Sequence, residues 1–506
     1  MGMHESGNLG DIFPAGIDPQ KPALIVAHSA DSETVVTYGA LQAQSQAVAR
    51  GLVRAGYRRG DRIAILAANV EDYLATYFGI MQAGCIAVPV NWKLAEGALH
   101  HVLRDSDARM IFADAERLAA IPDGYRVVRF GAEYEAFLDP GPFEPAPMGR
   151  DDVCMFLYTS GSTGNPKGVP LTHHGHMWVT DTRLKGAPDT GEHRALIAAP
   201  LYHMNALSSA KAVLAGGGTI VQLPVFTAAA YIDAIARHRC TWLTSVPTMM
   251  ALVTQQRERL RARDLSCVNV VRMGSAPATQ GLFDAIRECF PGARITFGYG
   301  TTEAGPCVFG PHPGRLPLPD LALGYPMGAP VRLRLEGDAD NNIGAGWPHE
   351  GELLMDCPAL MPGYHKLPAK TAEAMTADGL YRTGDVMRRD ANGFYSFVGR
   401  VDDMFTCNGE NVYPGEVEQM LENHPAIAQA ALIPVPDDVR GNMPVAFIVK
   451  ADAVDENGVK QHALAHAPAY MHPRHVWFVD ELPLASTAKI DRKALATEAE
   501  RRLAAL

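Results

Sequence analysis

The sequence predicts an α/β protein: a large N-terminal domain of parallel-rich sheets with helices, a small β-rich subdomain, and a small α+β C-terminal domain. Three observations carry this. Strand and helix signals alternate from Tyr38 to about Phe309. Short strands with Gly and Pro turns follow, and after Gly399 the order becomes helix, strand, strand, helix, strand. A chain of 506 residues also exceeds what one ordinary core holds, so two or more domains are expected.

In order, Tyr38 to about Gly56 shows helical spacing of Leu41, Val48 and Leu52 and stops at a glycine. Arg62–Leu66 reads as a buried strand, Tyr73–Gln82 as a helix, Cys85–Val90 as a strand, Glu96–Asp107 as a helix and Met110–Ala113 as a strand. Such repeated units imply a largely parallel sheet covered by helices. The proline-rich Asp139–Pro147 reads as a surface connection, and a second alternating stretch starts at Val153. Proline-rich Gly310–Pro319 ends that stretch. Beyond Gly399, Pro414–Glu422 and Val459–Ala465 read as helices, and Ile427–Pro434, Val445–Val449 and Val476–Val479 as strands.

A net charge of −11 argues against a chain built to coat nucleic acid or an anionic membrane. No apolar run reaches about 18 residues, so no membrane span is expected. Eight cysteines without a C-x-x-C pair suit reduced thiols and a cytoplasmic location.

The strongest chemical signal is Tyr158-Thr159-Ser160-Gly161-Ser162-Thr163-Gly164-Asn165-Pro166-Lys167-Gly168, placed after a strand and before a helix starting near Thr172. Glycines let backbone N–H groups close around phosphate oxygens, hydroxyls add donors, and Lys167 adds a point charge. A Walker loop needs Gly-Lys-Ser/Thr together, and here Asn165 and Pro166 intervene. The plain alternative is a flexible Ser/Gly turn.

This run resembles the phosphate loop of the adenylate-forming superfamily: acyl-CoA synthetases, carrier-protein adenylation domains and firefly-type luciferases. Further motifs follow in that family's order and cover nearly the whole chain. Met273-Gly274-Ser275-Ala276-Pro277 is similar to the segment whose backbone flanks adenine, which implies roles for Gly274, Ser275 and Ala276. Gly298-Tyr299-Gly300-Thr301-Thr302-Glu303 resembles the second signature. The resemblance implies that Tyr299 stacks on adenine, Thr302 contacts the α-phosphate and Glu303 helps hold Mg²⁺. Tyr381-Arg382-Thr383-Gly384-Asp385 resembles the ribose motif; a carboxylate at Asp385 can accept from both ribose hydroxyls.

Gly399-Arg400-Val401-Asp402-Asp403 is similar to the family's domain junction, implying that Arg400 approaches the ribose and Asp402 is the hinge. The expected division is residues 1–399, a hinge at 400–402, and a mobile domain at 403–506. The loop around Gly409 resembles the one that family members place along the pantetheine arm of coenzyme A. The segment Leu482–Arg492 resembles the catalytic-lysine motif, which implies that Lys489 bridges the substrate carboxylate and the α-phosphate. Three departures stand out: Ala488 replaces the usual glycine, Met471 replaces a common lysine, and Gly175 sits where asparagine is common.

The implied function is ATP-dependent carboxylate-CoA ligation through an acyl-adenylate, with ATP, Mg²⁺ and coenzyme A as cofactors and a carboxylic acid as substrate. By resemblance the acyl pocket involves His203, Met204, Asn205, the Ser245–Pro247 strand end, Gly300 and Gly305. The mix of small and apolar residues suits an aromatic, arylpropenoic or short-to-medium aliphatic acid. No clear cationic anchor for a second carboxylate is visible, Lys211 being a weak candidate. Homodimers are common in such families, an expectation by analogy. Alternatives are a ligase loading a carrier protein's phosphopantetheine, a luciferase-like oxygenase, and a nucleotide-binding ATPase or module outside the ligases.

Overall fold

The structure, a computed structural model, describes residues 6–29, 31–159, 165–337, 349–437, 440–484 and 490–504. Two of its sheets are parallel apart from one edge strand each. The seven-stranded sheet runs Arg294–Gly298, Val270–Gly274, Trp242–Ser245, Arg194–Ile197, Thr219–Gln222, Pro22–Ala27 and Glu33–Thr37. The six-stranded one runs Arg126–Arg129, Ala108–Ala113, Arg62–Leu66, Ile86–Pro89, Val153–Thr159 and Lys167–Thr172. Helices join the parallel strands, as crossover connections require. The helix Asp72–Gln82 has every residue after Asp72 buried, as a helix apolar on all faces must.

Tyr38–Arg54 forms the predicted first helix, with Thr37 Oγ1 accepting from Ala40 N at 3.2 Å as its cap. The sequence reading passes from the glycine-rich run straight to a helix, whereas the structure has a strand before that helix: Lys167–Thr172 pairs antiparallel with Val153–Thr159, Thr159 facing Lys167. The following helix, His173–Gly186, is capped by Thr172 Oγ1, which accepts from Gly175 N at 3.1 Å. Gly175 has a packing reason: an added Cβ would lie 2.7 Å from the Pro358 carbonyl oxygen and 2.8 Å from Ala359 Cα.

A six-stranded antiparallel sheet follows, in the order Phe309–Gly310, Ala322–Pro326, Tyr395–Arg400, Tyr381–Arg389, His349–Asp356 and Arg332–Leu335. The last sheet contains Glu410–Val412, Phe405–Cys407, Gly441–Lys450 and Ile427–Asp437, with His475–Phe478 beside Gly441–Lys450. The buried apolar residues form four clusters. Two draw on Leu9 to Tyr395, and two draw on Phe405 to Ala499. Among the described residues no helix is long and apolar enough to cross a membrane.

Candidate active site

Four neighbouring parallel strands end on one edge of the seven-stranded sheet, and the segments leaving them carry most of the predicted residues. Ligand sites in open α/β sheets form at this carboxyl edge. Arg194–Ile197 leads to His203, Trp242–Ser245 to Val246, Val270–Gly274 to Ser275 and Ala276, and Arg294–Gly298 to Tyr299. Gly274 and Gly298 are register partners. A Cβ on Gly274 would lie 2.8 Å from Gly298 O, so the strands end without side chains. Ser275 then takes φ +71°, a left-handed conformation that turns the chain sharply and leaves the segment exposed. At Gly300 a Cβ would meet Pro306 Cα at 2.4 Å, and Gly305, at φ +70°, donates its N–H to Thr301 O at 2.9 Å. These glycines make a turn too tight for side chains.

Asp385 and Arg400 face each other across the antiparallel sheet. Arg400 Nη1 donates to Asp385 Oδ1 at 2.5 Å and to Thr383 O at 2.9 Å. Tyr299 Oη donates to Asp385 Oδ2 at 2.5 Å, which brings three predicted nucleotide residues together. Burial, then the Asp385 charge, pushes the Tyr299 hydroxyl well above its usual range, so it stays a donor. Burial disfavours the Arg400 charge, yet Asp385 outweighs it and the guanidinium is held more firmly protonated. Gly384 makes room for this: at φ +69°, its Cβ would lie 2.8 Å from Arg400 Nη2. Asp402 is exposed, with its carboxylate 3.9 Å from Arg400 Nη2.

Glu303 is buried, and its Oε1 accepts from Tyr364 Oη at 2.9 Å. Lys167 Nζ lies over the Tyr364 ring at 4.3 Å, so Lys167 and Glu303 share one aromatic neighbour that sequence reasoning missed. Among the described residues Glu303 has no ion-pair partner and its second oxygen no hydrogen bond. A buried carboxylate without a cation fits a divalent ion. Thr302 is half-buried within the tight turn, next to Glu303. Thr159 Oγ1 is buried and has no hydrogen-bond partner among the described residues, at the end of the strand Val153–Thr159. Ser160, Gly161, Ser162, Thr163, Gly164 and Lys489 lie outside the described residues.

His203 precedes the helix Met204–Ala215, its ring against Tyr202 with centroids 4.5 Å apart. Met204 and Asn205 form the first turn and are half-buried. Asn205 Nδ2 donates to Ser245 O at 3.3 Å, and its Oδ1 accepts from Arg272 Nη1 at 3.3 Å. The sequence showed no clear cationic anchor for a second carboxylate; the structure places two arginines near Asn205. Arg272 and Arg183 both reach this region, Arg183 Nη1 donating to Ser208 Oγ at 2.8 Å. Burial pulls Arg183 down to about 9, Arg272 contributing next, and burial also lowers Arg272. Lys211 is fully buried, donates to His176 Nδ1 at 3.2 Å, and is lowered to about 8 by burial. One signal was available for Arg272: a charged residue inside the apolar strand Val270-Val271-Arg272-Met273-Gly274.

Gly409 sits at the tip of a hairpin where Cys407 pairs with Glu410. Asn408 and Gly409 take φ +55° and +83°, the signs of a type I′ turn, and both are exposed.

The site defines a class. Residues 15–365 match the AMP-binding enzyme family and residues 416–489 its C-terminal domain. The chain therefore belongs to the AMP-binding enzymes, the adenylate-forming superfamily, close to the carboxylate-CoA ligases, and is an AMP-forming acid–thiol ligase. It is 36% identical over 464 residues to a feruloyl-CoA synthase of Amycolatopsis sp, covering 90% of this chain and 92% of that one. It is 31% identical over 504 residues to a sulfoacetate–CoA ligase of Cupriavidus necator, covering 95% of each. The structure of an anthranilate CoA ligase bound to anthranoyl-AMP superposes with a TM-score of 0.88 at 26% identity, covering 99% of this chain and 98% of that one.

Proposed function

We propose that the protein activates a carboxylic acid with ATP, forming an acyl-adenylate and pyrophosphate, and then transfers the acyl group to coenzyme A with release of AMP. The observation that carries this is the Asp385 carboxylate, fixed on one side by Tyr299 and on the other by Arg400. It is a preorganised acceptor for a ribose diol, beside an aromatic ring and a glycine-lined strand edge.

A carboxylate does not react with a thiol at neutral pH, because it is anionic and its oxygen is a poor leaving group. Adenylation removes both obstacles. In the first half-reaction the substrate oxygen attacks the α-phosphorus in line and expels pyrophosphate. The 159–168 segment, with Lys167 and Thr159, holds the leaving phosphates; Thr302 contacts the α-phosphate; Lys489 bridges carboxylate and phosphate. Their contribution is positioning and charge neutralisation. Glu303 is the residue that would hold Mg²⁺, which supplies further neutralisation of phosphate charge when bound. Gly274, Ser275 and Ala276 flank the adenine.

In the second half-reaction the thiolate attacks the mixed anhydride and AMP leaves. Lys489 then occupies space the thiol needs. Rotation of a domain spanning residues 403–506 about Asp402, at the 400–402 junction with the 1–399 domain, withdraws Lys489 and brings up the Gly409 hairpin. The apolar clusters support this division, since among the described residues none draws on both sides of that junction.

The acid binds among His203, Met204, Asn205, Gly300 and Gly305. Relatives named for feruloyl-CoA and anthranilate favour an aromatic or arylpropenoic acid, with short-to-medium aliphatic acids as the second choice. The cytoplasm, where ATP and coenzyme A are at hand, is the proposed location. The test is pyrophosphate release from Mg-ATP, coenzyme A and a panel of carboxylic acids, with AMP and acyl-CoA identified by mass. Turnover with one chemical class supports the reading and names the substrate. AMP and pyrophosphate without acyl-CoA would point to a carrier protein as acceptor, and ADP would overturn the mechanism.

A further inference from the structure

Arg183 and Arg272 are two positive charges beside the proposed acyl site, without a counter-ion among the described residues. Arg183, on the helix His173–Gly186, donates to Ser208 Oγ at 2.8 Å and reaches Ser209 Oγ at 3.5 Å. Arg272, on the strand Val270–Gly274, donates to Asn205 Oδ1 at 3.3 Å and packs over Gly298, where a Cβ would lie 3.1 Å from Nη2. Among the described residues neither makes an ion pair. Each guanidinium has five N–H donors, and the side-chain partners here are one amide and two hydroxyls, all neutral. Both residues keep part of their surface accessible.

The two charges also feel each other, since Arg272 contributes to lowering Arg183. Cys307 is a titratable neighbour acting on both, and burial keeps its thiol neutral. Behind them Lys211 adds a third buried cation, bonded to a His176 ring whose pKa burial drives well down. Buried charge of one sign is costly unless an opposite charge completes it. The planar forks of two arginines match the oxygens of a carboxylate or sulfonate.

We propose that the acid this enzyme activates carries a second anionic group, a carboxylate or sulfonate, at its far end, and that Arg183 and Arg272 bind that group. This rests on the ligase reading above and narrows its substrate class. Asn205, held between Arg272 and Ser245 O, then fixes the orientation of Arg272.

The test measures kcat/KM for pyrophosphate release by the wild-type enzyme with matched acids. Suitable sets are cinnamate, 4-hydroxycinnamate and 4-carboxycinnamate; hexanoate and adipate; propionate and 3-sulfopropionate. In at least one set the doubly anionic member is expected to lead by about 10- to 100-fold, the range one charge-assisted hydrogen bond controls. Arg183→Met and Arg272→Met are expected to abolish that lead by raising KM for the acid, with KM for ATP unchanged, and Arg272→Lys to restore part of it. A neutral or hydroxylated member leading in every set would overturn the proposal, as would arginine variants that raise KM for ATP instead. If a variant fails to fold, the wild-type ratios decide alone. Pyrophosphate release with no acid in any set would overturn the ligase reading, and the proposal with it.

Discussion

Tyr299 and Asp385 are joined by a hydrogen bond of 2.5 Å that ties the edge strand of the parallel sheet to the antiparallel sheet. One residue follows the strand Arg294–Gly298; the other lies in Tyr381–Arg389. Tyr299→Phe keeps the ring and removes the bond. The expected result is a loss of about 1–2 kcal/mol of stability and a raised KM for ATP, with kcat little changed. Chemical denaturation and ATP titration check it, and an unchanged KM would separate the phenol from nucleotide binding.

Glu303 has a neutral phenol for a partner and no cation among the described residues. Glu303→Gln should reduce adenylation on the order of 100-fold or more, as expected from losing several kcal/mol of charge stabilisation. Raising the Mg²⁺ concentration should recover part of the rate. A variant as active as wild type at every Mg²⁺ concentration would take Glu303 out of metal binding.

Lys489→Ala should reduce acyl-AMP formation by on the order of 100-fold or more while largely sparing thioester formation from supplied acyl-AMP. Single-turnover measurements of the two half-reactions distinguish this from a general defect, because equal losses would contradict a role confined to the first step.

Gly175→Asn introduces the residue common at this place in the family, and here it should destabilise. The new Cβ meets backbone atoms of Pro358 and Ala359, which have little freedom to yield. Overpacking of this kind costs about 1–3 kcal/mol. A thermal shift to lower temperature is expected, and an unchanged melting temperature would show that the 357–359 segment adapts.

Glu422 lies against the Ala430 N–H, which it accepts at 2.8 Å, and burial, aided by the Glu418 charge, raises it from 4.5 to about 8. A carboxyl raised on folding contributes stability that is full below its unfolded pKa and is lost as pH rises through its folded pKa. The decline therefore falls between about pH 4.5 and 8. Glu422→Gln keeps the acceptor and cannot ionise, so its melting temperature should gain on wild type as pH rises from 5 to about 9. A constant difference across that range would count against ionisation of Glu422.

Sequence periodicity sufficed where one residue pattern had one solution. Arg62–Leu66 and Pro414–Glu422 fall where apolar spacing put them. The strand Lys167–Thr172 escaped because Gly168 and Pro170 interrupt its pattern, and it forms as an edge strand, where proline is tolerated. The candidate nucleotide residues could be named from sequence because they travel in short contiguous motifs, and the structure brings three of them, Tyr299, Asp385 and Arg400, together. Tyr364, Arg183 and Arg272 could not be named, since a lone tyrosine or arginine carries no spacing. Only the fold brings Arg183 from one helix and Arg272 from a distant strand to the same helix Met204–Ala215.

Gly298 gives this arrangement an evolutionary handle. A methyl group there would press on Arg272 Nη2, the free end of a flexible side chain, at 3.1 Å, whereas the same methyl on Gly274 would strike the Gly298 carbonyl. Of the two paired glycines, one is locked by its neighbour's backbone and the other can drift. A single codon change at residue 298 would nudge a positive charge by a few tenths of an ångström while leaving the backbone of its strand in place, a small mutational step that fine-tunes where Arg272 holds its guanidinium.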